Sequence, residues 1–92
     1  MIPYGRHFID DADINSVLEV LRNGWLTQGP KVAEFEQAVV EFTGAKYAVA
    51  VSSGTAGLHI ACLAADIGQG SVVYTSSNTF VASANAVLYA SG

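Results

Sequence analysis

Apolar residues recur along the first half of the chain with the three- and four-residue spacing of amphipathic helices. Two such segments come before residue 46, and each predicts a helix with one apolar face. The first begins at Asp10, where Asp10 and Asp13 have the spacing of a capping box, and it stops at Asn23-Gly24. The second has Pro30 in its first turn and is closed by Gly44.

From residue 46 onward the pattern changes to short apolar runs that alternate with helical segments. The run 47–51 is typical of a strand buried on both faces, and 71–75 predicts a second strand. Residues 55–65 and 80–89 have the pattern of helices. The β-α-β-α order predicts an α/β fold, in which ligands bind at the carboxyl ends of strands. We therefore predict two parts: residues 1–45, an arm and two helices, and residues 46–92, the start of an α/β domain.

The turn after the first predicted strand is the strongest candidate for a binding site. Ser52, Ser53, Gly54 and Thr55 lie where a strand should pass into a helix. The first amides of a helix lack partners within the helix and favour anions, and glycine allows a ligand to approach the backbone closely. One interpretation is a phosphate cradle for a phosphorylated cofactor. The other is an ordinary strand–helix turn with a Ser or Thr cap.

The composition suggests that something outside the chain covers much of its surface. Of its 92 residues 51% are apolar and only 13% are charged, whereas about a quarter are charged in a typical domain. We expect either an obligate oligomer or a piece of a larger protein. The sequence stops in mid-pattern at residues 87–92, at a helix end with nothing following, and this favours a piece.

Charge and motif content exclude several classes of function. The net charge of −4 and four scattered basic residues argue against nucleic-acid binding. The chain has neither an apolar run of membrane-spanning length nor a signal-peptide core, and Cys62 is its single cysteine, so a cytoplasmic protein is expected. His59 is expected on the surface of a helix and the only other histidine, His7, lies in the arm, so we predict no metal site. Dinucleotide-binding, P-loop and serine-hydrolase motifs are absent from the sequence.

Six segments together match a known family in order and spacing. The matching segments are Ile2-Pro3-Tyr4-Gly5-Arg6, Leu26-Thr27-Gln28-Gly29-Pro30, Phe35-Glu36, Gly44-Ala45-Lys46-Tyr47-Ala48-Val49, Ser53-Gly54-Thr55-Ala56 and Asn78-Thr79-Phe80-Val81-Ala82-Ser83-Ala84-Asn85. With these segments the chain resembles the start of the DegT/StrS sugar-nucleotide aminotransferases, which use pyridoxal 5′-phosphate (PLP). The resemblance implies the N-terminal part of the large domain of the aspartate-aminotransferase fold (PLP fold type I).

The resemblance assigns roles to residues in four of these segments and to Gly24 and Trp25, which directly precede the second segment. Gly54, Thr55 and Ala56 would hold the cofactor phosphate, and Phe80 would stack on the pyridine ring. The residues that would contact the sugar nucleotide are Tyr4, Gly24, Trp25, Leu26 and Thr27. The chain departs from the family where Ser77 replaces a frequent Pro, Ser71 a frequent acidic residue and Gly57 the usual Ala.

The family's Schiff-base lysine, and the aspartate that pairs with the pyridine nitrogen, are expected further along the natural sequence. Lys31 lies at a helix start and Lys46 at the amino end of the predicted strand, so neither fits the Schiff-base role. No catalytic residue is therefore predicted in this chain, and we expect it to be inactive alone.

The implied reaction moves an amino group from an amino acid such as glutamate to a UDP-linked 4-keto-6-deoxy sugar, at a site in a homodimer or higher assembly. Two alternatives remain open. One is a PLP-dependent sugar dehydratase of the same family, in which a histidine replaces the lysine. The other is a truncated, non-catalytic domain that only self-associates.

Overall fold

The structure is a computed structural model that describes Ile2 and residues 4–92. Met1 and Pro3 of the predicted arm lie outside the described residues, and Pro3 also belongs to the first family-like segment. The remaining arm residues, up to Ile9, are exposed and form neither helix nor strand. The helices of the described residues are α1 (Asp11–Asn23), α2 (Pro30–Thr43), α3 (Gly54–Ala64) and α4 (Ala82–Tyr89). The chain forms two compact units, Met1–Ala50 and Val51–Gly92.

Helix α1 begins with the predicted capping box. The carboxylate of Asp10 accepts hydrogen bonds from the N–H groups of Ala12 and Asp13 at 2.9 and 3.1 Å. In return, Asp13 Oδ2 accepts the N–H of Asp10 at 3.1 Å. The helix ends where Gly24 donates its N–H to the carbonyl of Val20 at 2.8 Å. These bonds satisfy backbone groups that a helix end otherwise leaves without a partner.

Helix α2 begins and ends at the residues that the sequence indicates. Pro30 is its first residue, where a missing N–H has no consequence for the helix. Gly44 ends it in the left-handed conformation, with φ of 72°, and donates its N–H to Val40 O at 2.9 Å. A glycine is favoured there because other residues meet a Cβ clash in this conformation.

The second unit is built on the packing of α4 against α3. The buried residues of the described part of the chain are Ala82 and Ala86 on α4 and Ala90 at its C-terminal cap, spaced four residues apart. Their small side chains allow a close approach of two helices. The rings of His59 on α3 and Tyr89 on α4 meet edge to face, with centroids 5.7 Å apart. His59 is thus a half-buried packing residue rather than a purely surface one.

The two predicted strands are absent. Segments 47–51 and 71–75 form neither strand nor helix, and the described residues contain no strand at all. The α/β arrangement predicted for residues 46–92 is therefore not visible, although both of its helices are present. A strand exists only where its backbone pairs with a neighbour. In these segments Val49 is 76% exposed and Val72 is 78% exposed, so neither side chain is covered as it would be in a buried strand.

Candidate functional site

The N-terminus of α3 has the features of an anion site. Ser53 caps the helix, and its Oγ accepts the N–H of Ala56 at 3.1 Å. Gly57 makes the first helical bond, to the carbonyl of Ser53 at 3.0 Å. Within the described chain, the N–H groups of Gly54 and Thr55 have no acceptor. Two backbone donors at the positive end of an 11-residue helix are thus available to a ligand.

An open groove lies beside these donors in the second unit. We call it the α3–α4 groove, and its volume is about 660 Å³. Its lining is apolar or hydroxyl-bearing and contains no ionisable side chain. The lining residues are Gly54, Thr55, Gly57, Leu58, Ala61, Thr79, Phe80, Ala82 and Ser83. The groove therefore combines helix amides, hydroxyl donors and an aromatic ring.

The structure brings three of the four predicted cofactor residues to this groove. Gly54, Thr55 and Phe80 all line it, and Phe80 is 76% exposed, so that its ring is accessible. Ala56 is different, because it does not line the groove and its N–H is already bonded to Ser53 Oγ. The opening at Gly54 is unobstructed, since a Cβ built there would meet no atom within 4 Å.

Two groove residues were not singled out by the sequence. Thr79 Oγ1 and Ser83 Oγ lie 3.1 Å apart, one on each side of Phe80 in the sequence. Their spacing of four residues at a helix start was the only signal that could have indicated the pair. Neither residue was assigned a role by the family resemblance.

A second, smaller pocket lies in the first unit, around the loop between α1 and α2. We call it the Trp25 pocket, and its volume is about 200 Å³. It is lined by Glu19, Val20, Asn23, Gly24, Trp25, Pro30, Lys31 and Glu34. Two predicted sugar-nucleotide residues, Gly24 and Trp25, are therefore at one pocket, together with a lysine that the sequence did not connect to them.

The other predicted sugar-nucleotide residues are not brought to this pocket. Leu26 is 67% exposed, Thr27 is exposed, and neither lines the Trp25 pocket. Tyr4 is fully exposed and lines neither that pocket nor the α3–α4 groove. The loop itself is tightly turned, because a Cβ at Gly29 would overlap the carbonyl oxygen of Trp25.

Both lysines have environments that differ from that of a nucleophilic amine. Lys31 Nζ lies 2.7 Å from Glu34 Oε2, and this hydrogen bond and ion pair raise the pKa of Lys31 above its ordinary value. A lysine that attacks an aldehyde needs the opposite shift. Lys46 Nζ lies over the ring of Tyr47, 5.2 Å from its centroid, which is a cation–π contact.

Among the described residues, no group of three or more His, Cys, Asp or Glu side chains is arranged to hold a metal ion. In the same part of the chain, no helix is both long enough and apolar enough to cross a membrane.

Comparison of the sequence with known proteins identifies the family to which the chain belongs. Residues 7–92 match the DegT/DnrJ/EryC1/StrS aminotransferase family, and the chain belongs to that family. The resemblance to this family that the sequence indicated is thereby confirmed at the level of the family. Membership implies the fold of the PLP-dependent aminotransferases of fold type I.

Two curated relatives show which members of the family the chain is similar to. It is 46% identical over 86 residues, 94% of its length, to the UDP-4-amino-4-deoxy-L-arabinose–oxoglutarate aminotransferase of Shewanella sediminis (strain HAW-EB3). It is also 46% identical over 88 residues, 96% of its length, to the spore coat polysaccharide biosynthesis protein SpsC of Bacillus subtilis (strain 168). The matched part covers only 22% and 23% of these relatives, respectively.

Proposed function

We propose that this chain is the cofactor-phosphate part of a PLP-dependent sugar aminotransferase. The observation that carries the proposal is the α3–α4 groove, where the free N–H groups of Gly54 and Thr55 lie at one helix start and Phe80 lines the same space. A phosphate would accept hydrogen bonds from these two amides and from the Thr55 hydroxyl. The pyridine ring would stack on Phe80, an interaction worth about 0.5–1.5 kcal/mol.

The described residues fit PLP, because they offer groups that can bind its phosphate and its ring. They do not supply the lysine that would bind it covalently. The groove supplies donors for a phosphate and a flat apolar face for a ring, but no ionisable side chain. When bound, PLP supplies the electron sink for amino-group transfer. The residues of this chain would bind and orient it, while the lysine that holds it covalently would come from elsewhere in the natural protein.

The substrates are proposed from the relatives. The Shewanella sediminis enzyme is described as using a UDP-sugar and oxoglutarate, which supports glutamate as the amino donor here. The arm and residues 79–89 also resemble UDP-4-amino-4,6-dideoxy-N-acetyl-β-L-altrosamine transaminase, an enzyme of pseudaminic acid synthesis. We therefore propose a UDP-linked 4-keto-6-deoxy sugar as the acceptor. Gly24 and Trp25, which line the Trp25 pocket, are the proposed contacts in the first unit.

The chain alone is proposed to be inactive, to act in a homodimer or higher assembly and to be cytoplasmic. The raised pKa of Lys31 supports inactivity, because this amine stays protonated at neutral pH. Self-association is supported by the uncovered apolar face of α1, where Val17 and Leu21 are each 60% exposed. Sedimentation of the chain and of the natural protein tests the assembly, and a transamination assay of the chain against free PLP tests the inactivity.

The cofactor proposal is tested by calorimetry on the cofactor-free natural protein that carries this sequence. The probes are pyridoxine 5′-phosphate, which cannot bond covalently to lysine, and unphosphorylated pyridoxine. We expect tight binding only of the phosphorylated probe. Phe80→Ala should weaken it by about 2- to 13-fold, which corresponds to the stacking energy.

The matched control is Tyr74→Ala, which removes an exposed aromatic ring that does not line the groove. This variant should bind the probe like the unaltered protein. Equal affinity for the two probes, or an unchanged affinity in Phe80→Ala, would contradict the proposed site.

A further inference from the structure

Two hydrogen bonds hold the backbone around Phe80, and both end at Ser83. The side chains of Thr79 and Ser83 meet at 3.1 Å between Oγ1 and Oγ. The N–H of Ser83 donates to the carbonyl of Phe80, also at 3.1 Å. Ser83 is therefore tied both to Phe80 itself and to the residue before it.

Apart from these hydrogen bonds, little restrains the side chain of Phe80. Its side chain is 76% exposed, and it precedes α4 rather than lying within it. An exposed ring on a non-helical residue can turn away from a ligand, and the benefit of stacking depends on the ring plane. The hydroxyl pair lies on the same groove as the ring that it brackets, because Thr79, Phe80 and Ser83 all line it.

We propose that Thr79 and Ser83 are positioning residues that hold the Phe80 ring in the orientation required to stack on a phosphorylated pyridine. The inference rests on the proposed function, since it assumes that Phe80 receives the ring of the ligand. It gives the hydroxyl pair a task distinct from phosphate binding, which belongs to the start of α3. A hydroxyl pair that contacted the phosphate directly would behave differently in the test below.

The test compares two probes on the cofactor-free natural protein by calorimetry. Pyridoxine 5′-phosphate carries a ring and a phosphate, whereas glycerol 3-phosphate carries the phosphate alone. The variants are Ser83→Ala and Thr79→Val, each of which removes one hydroxyl of the pair. Thr79→Ser keeps the hydroxyl and serves as the conservative rescue. Ser77→Ala is the matched control, because Ser77 is exposed and lies in the same loop but does not line the groove.

We expect Ser83→Ala and Thr79→Val to weaken the binding of pyridoxine 5′-phosphate by no more than Phe80→Ala does, about 2- to 13-fold, because the hydroxyls act only through the ring. Binding of glycerol 3-phosphate should change by less than about twofold, because it makes no use of the ring. Thr79→Ser and Ser77→Ala should bind both probes like the unaltered protein. The double variant Ser83→Ala, Thr79→Val should be no weaker than either single variant, since the two hydroxyls form one contact.

Placing Ser83→Ala in a Phe80→Ala protein gives the decisive comparison. If the hydroxyl acts through the ring, the substitution has no further effect there. An effect that persists without the ring, or an equal loss of both probes in Ser83→Ala, would overturn the inference in favour of direct phosphate contact or of a general structural role.

The same series separates failure of this inference from failure of the proposed function. A Phe80→Ala protein that binds pyridoxine 5′-phosphate normally overturns both. If Phe80→Ala weakens binding while Ser83→Ala and Thr79→Val leave it unchanged, the cofactor site stands and the positioning role is wrong.

Discussion

The carboxylate of Glu36 accepts the N–H of Ala50 at 2.7 Å, across fourteen positions of the sequence. Among the side-chain hydrogen bonds of the described residues, this one joins residues more than four positions apart, and the others are local. Apolar spacing along α2 places Glu36 on the polar side of the helix, but it is half-buried. The bond attaches α2 to the apolar segment that follows it, within the first unit.

Replacing Glu36 should therefore loosen the segment around Ala50. We expect Glu36→Ala to speed hydrogen exchange at the Ala50 amide and to lower the free energy of unfolding by about 1 kcal/mol. Glu36→Gln keeps an acceptor and should have a smaller effect. The control is Glu41→Ala, because Glu41 is exposed and its carboxylate accepts only from Gln37, one turn away. An Ala50 amide that exchanges equally fast in all these proteins would contradict the prediction.

The end of α2 offers a second test, at Gly44. Its φ of 72° is unfavourable for a residue with a Cβ, although no atom lies near the position that the Cβ would occupy. We expect Gly44→Ala to lower the free energy of unfolding by about 1–2 kcal/mol through backbone strain alone. Gly68→Ala is the control, because its Cβ is equally unobstructed and its φ is not positive. Denaturant titrations followed by circular dichroism give both values, and equal losses would show that strain is not the cause.

The ion pair of Lys31 with Glu34 makes a prediction about pH. Because the pKa of Lys31 is raised in the folded chain, its contribution to stability is complete below the unfolded pKa and is lost as pH rises through the folded value. The contribution is small, since both side chains are more than half exposed. We expect Lys31→Gln to be slightly less stable than the unaltered chain at about pH 8 and equal to it at about pH 12. A difference in stability between the two proteins that stays constant with pH would refute the prediction.

The helices could be predicted from the sequence because their ends are determined locally. Asp10 and Asp13 form their capping box within one turn, and Pro30 and Gly44 bound α2 by their own backbone preferences. The prediction of strands at 47–51 and 71–75 has no such local basis. Segments 47–51 and 71–75 have the composition of strands, but a strand needs a partner. The curated relatives are more than four times the length of the matched part.

In the site as well, features set by neighbouring residues could be predicted, whereas features set by the packing of separate helices could not. The start of α3 could be predicted because three adjacent residues indicate it. Ser53 is a helix-capping residue, Gly54 leaves space for a ligand, and Thr55 has a hydroxyl donor. The meeting of α3 with Phe80 depends on how α4 packs, which short-range patterns do not encode. The family resemblance supplied that link, and the groove contains both parts. Ala56 is the exception, because the sequence does not reveal that Ser53 already occupies its N–H.

Two glycines of the α3–α4 groove should respond differently to the same substitution. At Gly57 a Cβ would meet Val51 Cγ2 at 3.4 Å, which is an ordinary contact. We expect Gly57→Ala to raise the free energy of unfolding by about 0.5–1 kcal/mol, the usual gain over glycine within a helix. Its affinity for pyridoxine 5′-phosphate should stay within about twofold of the original.

At Gly54 a methyl group would meet no atom of the chain, so folding should be unaffected. The same open space is where the proposed phosphate must approach the N–H groups of Gly54 and Thr55. We therefore expect Gly54→Ala to weaken pyridoxine 5′-phosphate by about tenfold or more, as for a lost charge-assisted hydrogen bond. Calorimetry and denaturant titration of both variants check the pair of predictions. A Gly54→Ala protein that binds normally would mean that the ligand does not approach the backbone here, and the start of α3 would then be only a capped helix.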